Sequence, residues 1–187
     1  ISLSVILPAH NEEENIANTV SECLSYLGAG FPKYEVIVVN DGSRDRTREI
    51  VEELSSKNPA VVLVNHEVNK GYGSAVKSGF NKASLDYTFF MDSDGQFDIT
   101  DLVRLIPFTG GNNVVIGYRE NRADSLIRSL NAWMYGLYIR LVFGLSVKDM
   151  DCAFKVFPTE AYHKVRPIKA GGALFSAEFL IKLKRAG

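Results

Sequence analysis

The sequence has few cysteines, a single tryptophan and no excess of either charge. Cys23 and Cys152 belong to no C-x-x-C pair and lie far from any histidine in sequence, which argues against a zinc site and indicates reduced thiols of a cytosolic protein. The net charge of −1 provides no global basic field to recruit nucleic acid, so we expect no nucleic-acid partner. No apolar run reaches the 18 residues that a bilayer-spanning helix needs.

The hydrophobic content indicates a folded domain. Apolar residues make up 46% of the 187 residues, which is enough for one domain with a substantial core. We find no internal repeat, low-complexity tract or linker, so we expect residues 1–187 to form a single domain. Because the sequence begins at Ile1 rather than methionine and stops at Gly187 just after a helical pattern, it is consistent with a fragment of a longer chain.

Strand and helix patterns alternate through the first half of the sequence. Continuous apolar strands between amphipathic helices indicate an α/β fold, with a Rossmann-like, mostly parallel sheet and helices on both faces. We predict strands at 3–7, 34–39, 60–64 and 87–91, a helix capped by Asn11, a helix around 50–54 and a helix over 71–83. The second half is less regular, and we predict helices at 98–106, 126–145 and 176–185 and strands at 113–117 and 152–157.

Three of the predicted strands end in loops rich in acidic and amide side chains. These loops read PAHNE at 8–12, NDGS at 40–43 and DSDGQ at 92–96. The carboxyl ends of parallel strands share one edge of the sheet, where ligands bind, so we expect the three loops to form one acidic cleft. Such a cleft is unfavourable unless a cation or a donor-rich ligand fills it.

The third loop has the composition of a metal site. Asp92 and Asp94 are two residues apart after a buried strand, so both carboxylates can project into the same crevice. Hard oxygen ligands of this kind suit Mg²⁺ or Mn²⁺, with water and substrate phosphates completing the shell. Gln96 can supply a third oxygen. The alternative is an aspartate-rich turn that caps the following helix, because a D-x-D pattern alone is a weak motif.

Segments spread over nearly the whole sequence share the pattern of one enzyme family. They are 5–13 (VILPAHNEE), 38–45 (VVNDGSRD), 69–73 (NKGYG), 90–96 (FMDSDGQ), 117–119 (GYR), 128–129 (RS) and 149–155 (DMDCAFK). Together they resemble the family 2 glycosyltransferases of GT-A fold, particularly the branch that makes dolichyl- and polyprenyl-phosphate sugars. The last segment departs from that family's D-x-x-x-G-F-K/R signature, because Ala153 replaces the usual glycine and Asp151 is an extra acid.

The resemblance implies an activity and a set of site residues. It implies inverting, metal-dependent transfer of a sugar from a GDP- or UDP-sugar to an acceptor, with a polyprenyl or dolichyl phosphate favoured. A phosphate acceptor is already a nucleophile, whereas a hydroxyl acceptor needs a general base. By resemblance, Asp41 binds the nucleoside; Pro8, Ala9, His10, Glu12, Val39 and Ser93 line the donor pocket; Asp92, Asp94 and Gln96 hold Mg²⁺ or Mn²⁺; Arg119 and Arg128 bind phosphate; and Asp149, or else Asp151, is the base if one is needed.

Other functions remain open at this point. A hydroxyl group of a glycan is the alternative acceptor, and a non-catalytic module that binds sugar nucleotides is the alternative from another class. A haloacid-dehalogenase phosphohydrolase would place Thr or Val where Gln96 stands, and a dinucleotide-binding oxidoreductase would have glycine in place of Val76. We expect His66 and His163 to be structural. Lys155 either belongs to the site, as its place in the family signature implies, or only extends from its strand to solvent. Glu178 either faces the site or is a solvated first-turn acid.

The predicted helix at 126–145 is apolar on most faces and includes Trp133 and Tyr138. Gly136 and Arg140 interrupt it, so it is unsuited to crossing a bilayer alone. We expect it to meet a membrane surface or a lipid acceptor, with Arg128 and Arg140 near lipid phosphates, as a peripheral contact at the cytoplasmic face of the membrane. The alternative is a core helix packed under the sheet.

Overall fold

The computed structural model describes residues 1–111, 113–118, 126–172 and 174–186, with side chains described throughout except at 126–133 and 135. These residues form an α/β fold of one six-stranded sheet and α-helices. The strands are β1 (Leu3–Ala9), β2 (Tyr34–Asp41), β3 (Val61–His66), β4 (Tyr87–Phe90), β5 (Val115–Ile116) and β6 (Lys155–Pro158). The helices are α1 (Ile16–Gly30), α2 (Thr47–Lys57), α3 (Tyr72–Lys82), α4 (Leu126–Phe143), α5 (Thr159–Val165) and α6 (Leu174–Ala186).

The sheet is mostly parallel, as the sequence predicts. Its strand order is β3-β2-β1-β4-β6-β5. The first four strands pair in parallel, whereas β6 runs antiparallel to both β4 and β5. The carboxyl ends of β1, β2 and β4 therefore lie side by side at one edge of the sheet. This is the edge at which open α/β sheets bind their ligands.

Helices cover both faces of the sheet because each central strand is apolar on both sides. Val5 and Leu7 of β1 belong to the core cluster that includes α1 and α2. Ile6, between them, belongs to the opposite cluster, to which α3, α5 and α6 contribute. Successive strand side chains point to opposite faces, so a strand buried on both faces must be apolar at nearly every position.

The loop after β1 differs from the sequence prediction. Asn11 does not cap α1, since its φ of 57° is left-handed and the helix begins at Ile16. Asn11 instead ties this loop to the loop after β2: its Oδ1 accepts a hydrogen bond from Arg44 N at 2.8 Å, and its own N donates to Ser43 Oγ at 3.0 Å. The first two of the three predicted loops are thus joined by backbone-to-side-chain hydrogen bonds.

The second half contains most of the other differences. The predicted helix at 98–106 is two short 3₁₀ segments, Ile99–Arg104 and Ile106–Phe108, and Pro107 within the second segment has no backbone N–H to donate. The strands β5 and β6 are shorter than predicted. Helix α5 is not predicted from the sequence, because seven residues are too few to show the spacing of apolar side chains that marks a helix.

Helix α4 presents much of its described surface to solvent. Ile139 is buried in the cluster that includes α3, α5 and α6. Five other apolar side chains of this helix are exposed, which does not fit the alternative of a core helix buried all round; they are Met134, Leu137, Tyr138, Leu141 and Val142. Within the described residues, no helix combines the length and hydrophobicity needed to cross a membrane.

We predict that Gly79→Ala destabilises the fold through the contact between α3 and the sheet. A Cβ at Gly79 would overlap Ile6 Cγ2 and lie 3.2 Å from Val39 Cγ2. Overpacking of this kind costs about 1–3 kcal/mol, which outweighs the gain in helix propensity. The free energy of unfolding from urea denaturation measures the effect.

The matched control is Gly136→Ala in α4, where an added Cβ meets no atom of the described residues within 4 Å. It should leave stability unchanged or raise it by up to about 1 kcal/mol. Equal effects of the two substitutions would show that α3 does not approach the sheet as closely as described.

Candidate active site

A cavity of about 350 Å³ opens at the carboxyl ends of β1, β2 and β4. It brings together residues of all three predicted acidic loops and the start of α3. Most of the site residues predicted from the sequence line it. The lining residues are Pro8, Ala9, His10, Glu12, Asp41, Asn69, Gly71, Tyr72, Ala75, Asp92, Ser93 and Asp94.

Asp41 ends β2 on one side of this cavity and is held in place by two donors. His66 Nδ1 lies 2.7 Å from Asp41 Oδ1, and Lys70 N donates to the same oxygen at 2.9 Å. Burial alone would raise the pKa of Asp41, but the hydrogen bonds from His66 and Lys70 N outweigh it and lower the pKa below its usual value. Asp41 is therefore an anion at neutral pH.

Asp92 and Asp94 follow β4 on the other side of the cavity. Asp94 Oδ1 accepts a hydrogen bond from Gln96 N at 3.0 Å, which closes a tight turn. Between the two acids, Ser93 Oγ donates to Pro8 O at 2.7 Å and so anchors the loop to the end of β1. Both carboxylates are thereby placed at the same cavity by one short, anchored loop.

Tyr72, at the start of α3, contacts this acidic loop. Burial raises the pKa of its phenol, and so do the negative charge of Asp92 and the hydrogen bond between the two side chains. The phenol therefore stays protonated and serves as a neutral donor to Asp92. Tyr72 is not among the site residues predicted from the sequence, where the turn at 69–73 is notable only for its glycines.

The two carboxylates suit a cation that takes few protein ligands. In the described ranges, no group of three or more His, Cys, Asp and Glu side chains is arranged to hold a metal ion. Asp92 and Asp94 supply two hard oxygen donors, a number that fits Mg²⁺ or Mn²⁺ completed by water and phosphate oxygens. Gln96 is exposed and lines a separate depression with Glu22 and Tyr26, so its role as a third ligand stays a prediction.

The two predicted base candidates lie outside the cavity lining. Asp149 is buried and Asp151 is exposed, in the turn that precedes β6. Both are close enough to act electrostatically on Lys155, and Asp151 also acts on Tyr72. Their assignment as a base therefore stays a prediction.

The alternative that Lys155 only extends to solvent is wrong. Its side chain is wholly buried, its Nζ donates to Cys152 O, and the same atom lies 5.1 Å from the centre of the Phe90 ring. Burial lowers the pKa of Lys155 to about 8, although nearby negative groups, among them Asp151, oppose this shift. The side chain points inward because β6 lies between β4 and β5, with helices over this face.

The remaining predicted residues have varied positions. His10 Nδ1 donates to Asp41 O at 2.8 Å, and Glu12 Oε2 accepts from Asn15 Nδ2 at 2.9 Å. Val39 is wholly buried in the core and does not line the cavity, so a direct contact of its side chain with a ligand there has no support. Arg119 lies outside the described residues, and Arg128 lies in α4 with its side chain outside them.

Glu178 fits neither expectation from the sequence. It accepts hydrogen bonds from Lys169 N and Ala170 N, at 2.9 and 2.5 Å, and pairs with Lys182 at 2.8 Å. Burial would raise the pKa of Glu178, but these partners lower it to about 2. The acid thus holds the loop before α6, which approaches α3 so closely that a Cβ on Gly73 would lie 2.9 Å from Gly172 N.

Comparison with known sequences identifies relatives over most of the chain. The family model described as glycosyl transferase family 2 matches residues 4–166. A dolichyl-phosphate beta-glucosyltransferase of Drosophila melanogaster is 32% identical over 185 residues, which cover 88% of this chain and 57% of that protein. An undecaprenyl-phosphate 4-deoxy-4-formamido-L-arabinose transferase of Pectobacterium atrosepticum is 33% identical over 160 residues, with coverage of 83% and 48%. The chain spans about half the length of the curated relatives it matches.

Solved structures share the fold. Glucosyl-3-phosphoglycerate synthase from Mycobacterium tuberculosis, in complex with Mn²⁺ and uridine-diphosphate-glucose, matches with a TM-score of 0.73 and 25% identity over 99% of this chain and 65% of that chain. TarS from S. aureus matches with a TM-score of 0.63 and 20% identity, covering 98% of this chain and 55% of that one. The predicted GT-A fold is confirmed.

We predict that Glu178→Gln lowers stability in a pH-dependent way. Because folding lowers the pKa of Glu178, its contribution is complete above the unfolded-state value and disappears as pH falls towards about 2. At pH 7 the variant should lose about 1–2 kcal/mol, since hydrogen bonds to a charged group become bonds to a neutral amide. The difference from the unsubstituted protein should shrink between about pH 5 and pH 3.

Urea unfolding at several pH values measures this difference. Glu160→Gln is the control, because that glutamate is exposed in the first turn of α5. A stability loss in Glu178→Gln that stays constant from pH 7 to pH 3 would contradict the proposed hydrogen-bonded carboxylate.

Proposed function

Since the chain belongs to glycosyl transferase family 2, we propose that it is the catalytic part of an inverting glycosyltransferase that moves a sugar from a UDP- or GDP-sugar to a polyprenyl or dolichyl phosphate. The observation that carries the proposal is the single cavity that Asp41, Asp92 and Asp94 share. Relatives that act on dolichyl and undecaprenyl phosphates support the acceptor class. The complex of a structural relative with Mn²⁺ and a sugar nucleotide supports the donor class.

The donor nucleotide is proposed to lie across the cavity, from Asp41 to the loop after β4. Asp41 accepts a hydrogen bond from the base, while Asp92 and Asp94 hold a divalent cation, Mg²⁺ or Mn²⁺. When bound, this ion neutralises the charge that develops on the departing diphosphate. The Tyr72 phenol orients Asp92 by its hydrogen bond, and Ser93 fixes the loop to β1.

Direct displacement at the anomeric carbon needs a nucleophile on the face opposite the leaving diphosphate. A lipid phosphate is already anionic at neutral pH and can attack without losing a proton. Arg119 and Arg128 are proposed to bind its oxygens, since the planar guanidinium binds phosphate in a bidentate manner. With a phosphate acceptor, Asp149 and Asp151 need not act as a base; with a hydroxyl acceptor, Asp149 would take the proton.

The exposed face of α4 is proposed to contact the membrane that holds this acceptor. Leu141 is 75% exposed and Tyr138 56% exposed, although both are side chains that favour an apolar or interfacial environment. Basic residues stand beside this face: Arg140 lies on the helix itself, and Arg185 lies over the Phe143 ring at 5.6 Å. Apolar side chains next to cations match the interface between acyl chains and anionic headgroups.

We predict that Asp92→Asn together with Asp94→Asn abolishes the metal dependence of nucleotide binding. Each substitution removes a negative oxygen ligand, so affinity for UDP or GDP with Mn²⁺ should fall by more than the roughly 10–100-fold typical of losing an outer-shell partner. Isothermal titration with and without EDTA measures the effect. The control Asp101→Asn removes an exposed carboxylate outside this cavity and should bind normally. Sugar transfer that continues undiminished in EDTA would contradict the proposed metal site.

We predict that Leu141→Ser with Val142→Ser weakens membrane binding by about tenfold or more, because two apolar side chains no longer enter the lipid. Flotation with vesicles that contain anionic phospholipid measures the bound fraction. Val103→Ser, at an equally exposed valine in the first 3₁₀ segment, should float like the unsubstituted protein. Absence of vesicle binding by the unsubstituted domain would contradict the proposed membrane contact.

A further inference from the structure

A buried polar chain behind the nucleotide cavity links Asp41 to two side chains that have no role in the function proposed above. It consists of Asp41 at the end of β2, His66 at the end of β3 and Ser78 in α3. His66 Nδ1 lies 2.7 Å from Asp41 Oδ1, and His66 Nε2 lies 2.8 Å from Ser78 Oγ. The side chains of Asp41 and His66 are 4% and 6% exposed, so this chain is shielded from water.

The direction of these hydrogen bonds follows from the groups involved. An ionised carboxylate only accepts, so His66 Nδ1 must carry a proton and donate it to Asp41. Ser78 can donate to Nε2 or accept from it, so the serine holds the ring in either protonation state. The imidazole is thus locked with its Nδ1–H facing one particular oxygen of Asp41.

That oxygen is fully engaged. Asp41 Oδ1 accepts from both His66 and Lys70 N. Within the described part of the chain, the other oxygen, Oδ2, accepts no hydrogen bond at comparable distance. The Gly71 amide contributes to lowering the pKa of Asp41, but it donates to Asn69 Oδ1 at 2.8 Å. Because Asp41 lines the cavity, it offers a ligand one carboxylate oxygen rather than two.

The number of available acceptors distinguishes the two common donor bases. Uracil has a single ring N–H on its pairing edge, between two carbonyl groups, and one carboxylate oxygen satisfies it. Guanine presents a ring N–H and an exocyclic amino group side by side, which together require both oxygens of a carboxylate. A buried donor without an acceptor lowers affinity by about ten- to a hundredfold.

We propose that His66 is a positioning residue for base specificity: by occupying one oxygen of Asp41, with Ser78 holding the ring, it makes the cavity selective for uridine over guanosine nucleotides. This inference rests on the proposed function, because it assumes that Asp41 faces the base. The register of the sheet sets up the arrangement, since Asp41 and His66 are direct partners across β2 and β3.

The test is the ratio of the dissociation constants of GDP and UDP, measured by isothermal titration with Mn²⁺. The unsubstituted protein should prefer UDP by about tenfold or more. His66→Leu removes the donor and frees Oδ1, so UDP binding should weaken and the ratio should fall towards one. His66→Gln restores an N–H donor and should recover part of the preference. Ser78→Ala loosens the ring and should lower the ratio by about threefold.

Asn65→Ala is the matched control. Asn65 accepts a hydrogen bond from Asn40 Nδ2 at 2.7 Å across the same two strands, one position before the Asp41–His66 pair. Removing this contact perturbs the strand pair without touching Asp41, so the ratio should not change. If the role of His66 were purely structural, His66→Leu and Asn65→Ala would both reduce stability, and neither would alter the base preference.

The outcomes separate this inference from the proposed function. If neither nucleotide binds with Mn²⁺, the proposed function fails and the inference fails with it. If UDP and GDP bind equally well to the unsubstituted protein, the inference alone is overturned. The inference is also overturned if a folded His66→Leu variant keeps the full preference for UDP. If that variant does not fold, an unchanged preference for UDP in Ser78→Ala overturns the inference instead.

Discussion

The site depends on three carboxylates that are held by local hydrogen bonds around one cavity. Like charges that share a low-dielectric space raise each other's pKa unless donors or cations compensate. Asp41 accepts hydrogen bonds from His66 and a backbone amide, Asp94 from the amide of its own turn, and Asp92 from the Tyr72 phenol. None of these donors is a lysine or arginine side chain or a metal ion. A divalent cation with a nucleoside diphosphate would supply the missing positive charge and the base contact together.

The fold keeps these groups at fixed positions through close backbone approaches. The loop after β4 is bonded to the end of β1 through Ser93, and α3 packs so closely on the sheet that a Cβ at residue 79 would overlap Ile6. The nucleotide side of the molecule is thus built from parallel strands and short anchored loops. Helix α4, which exposes apolar side chains, belongs to the less regular second half of the chain, and there we place the lipid acceptor.

How much the sequence reveals depends on the range of the interactions involved. The four parallel strands and the acidic loop at Asp92 were predictable, because continuous apolar runs and a local D-x-D pattern suffice. The role of Asn11 was not, since its left-handed conformation is set by partners more than 30 residues away. The pairing of Asp41 with His66 also required the strand register, and the burial of Lys155 required knowing that β6 lies inside the sheet.

We propose that a sugar nucleotide and its metal ion occupy the cavity between Asp41 and the Asp92–Asp94 pair. A crystal structure with Mn²⁺ and UDP, using data collected at the manganese absorption edge, tests it most directly. We expect an anomalous peak within coordination distance of Asp92, Asp94 and the diphosphate, and we expect the base to lie against Asp41 Oδ2. A manganese peak remote from both carboxylates, or a base placed away from Asp41, would contradict it.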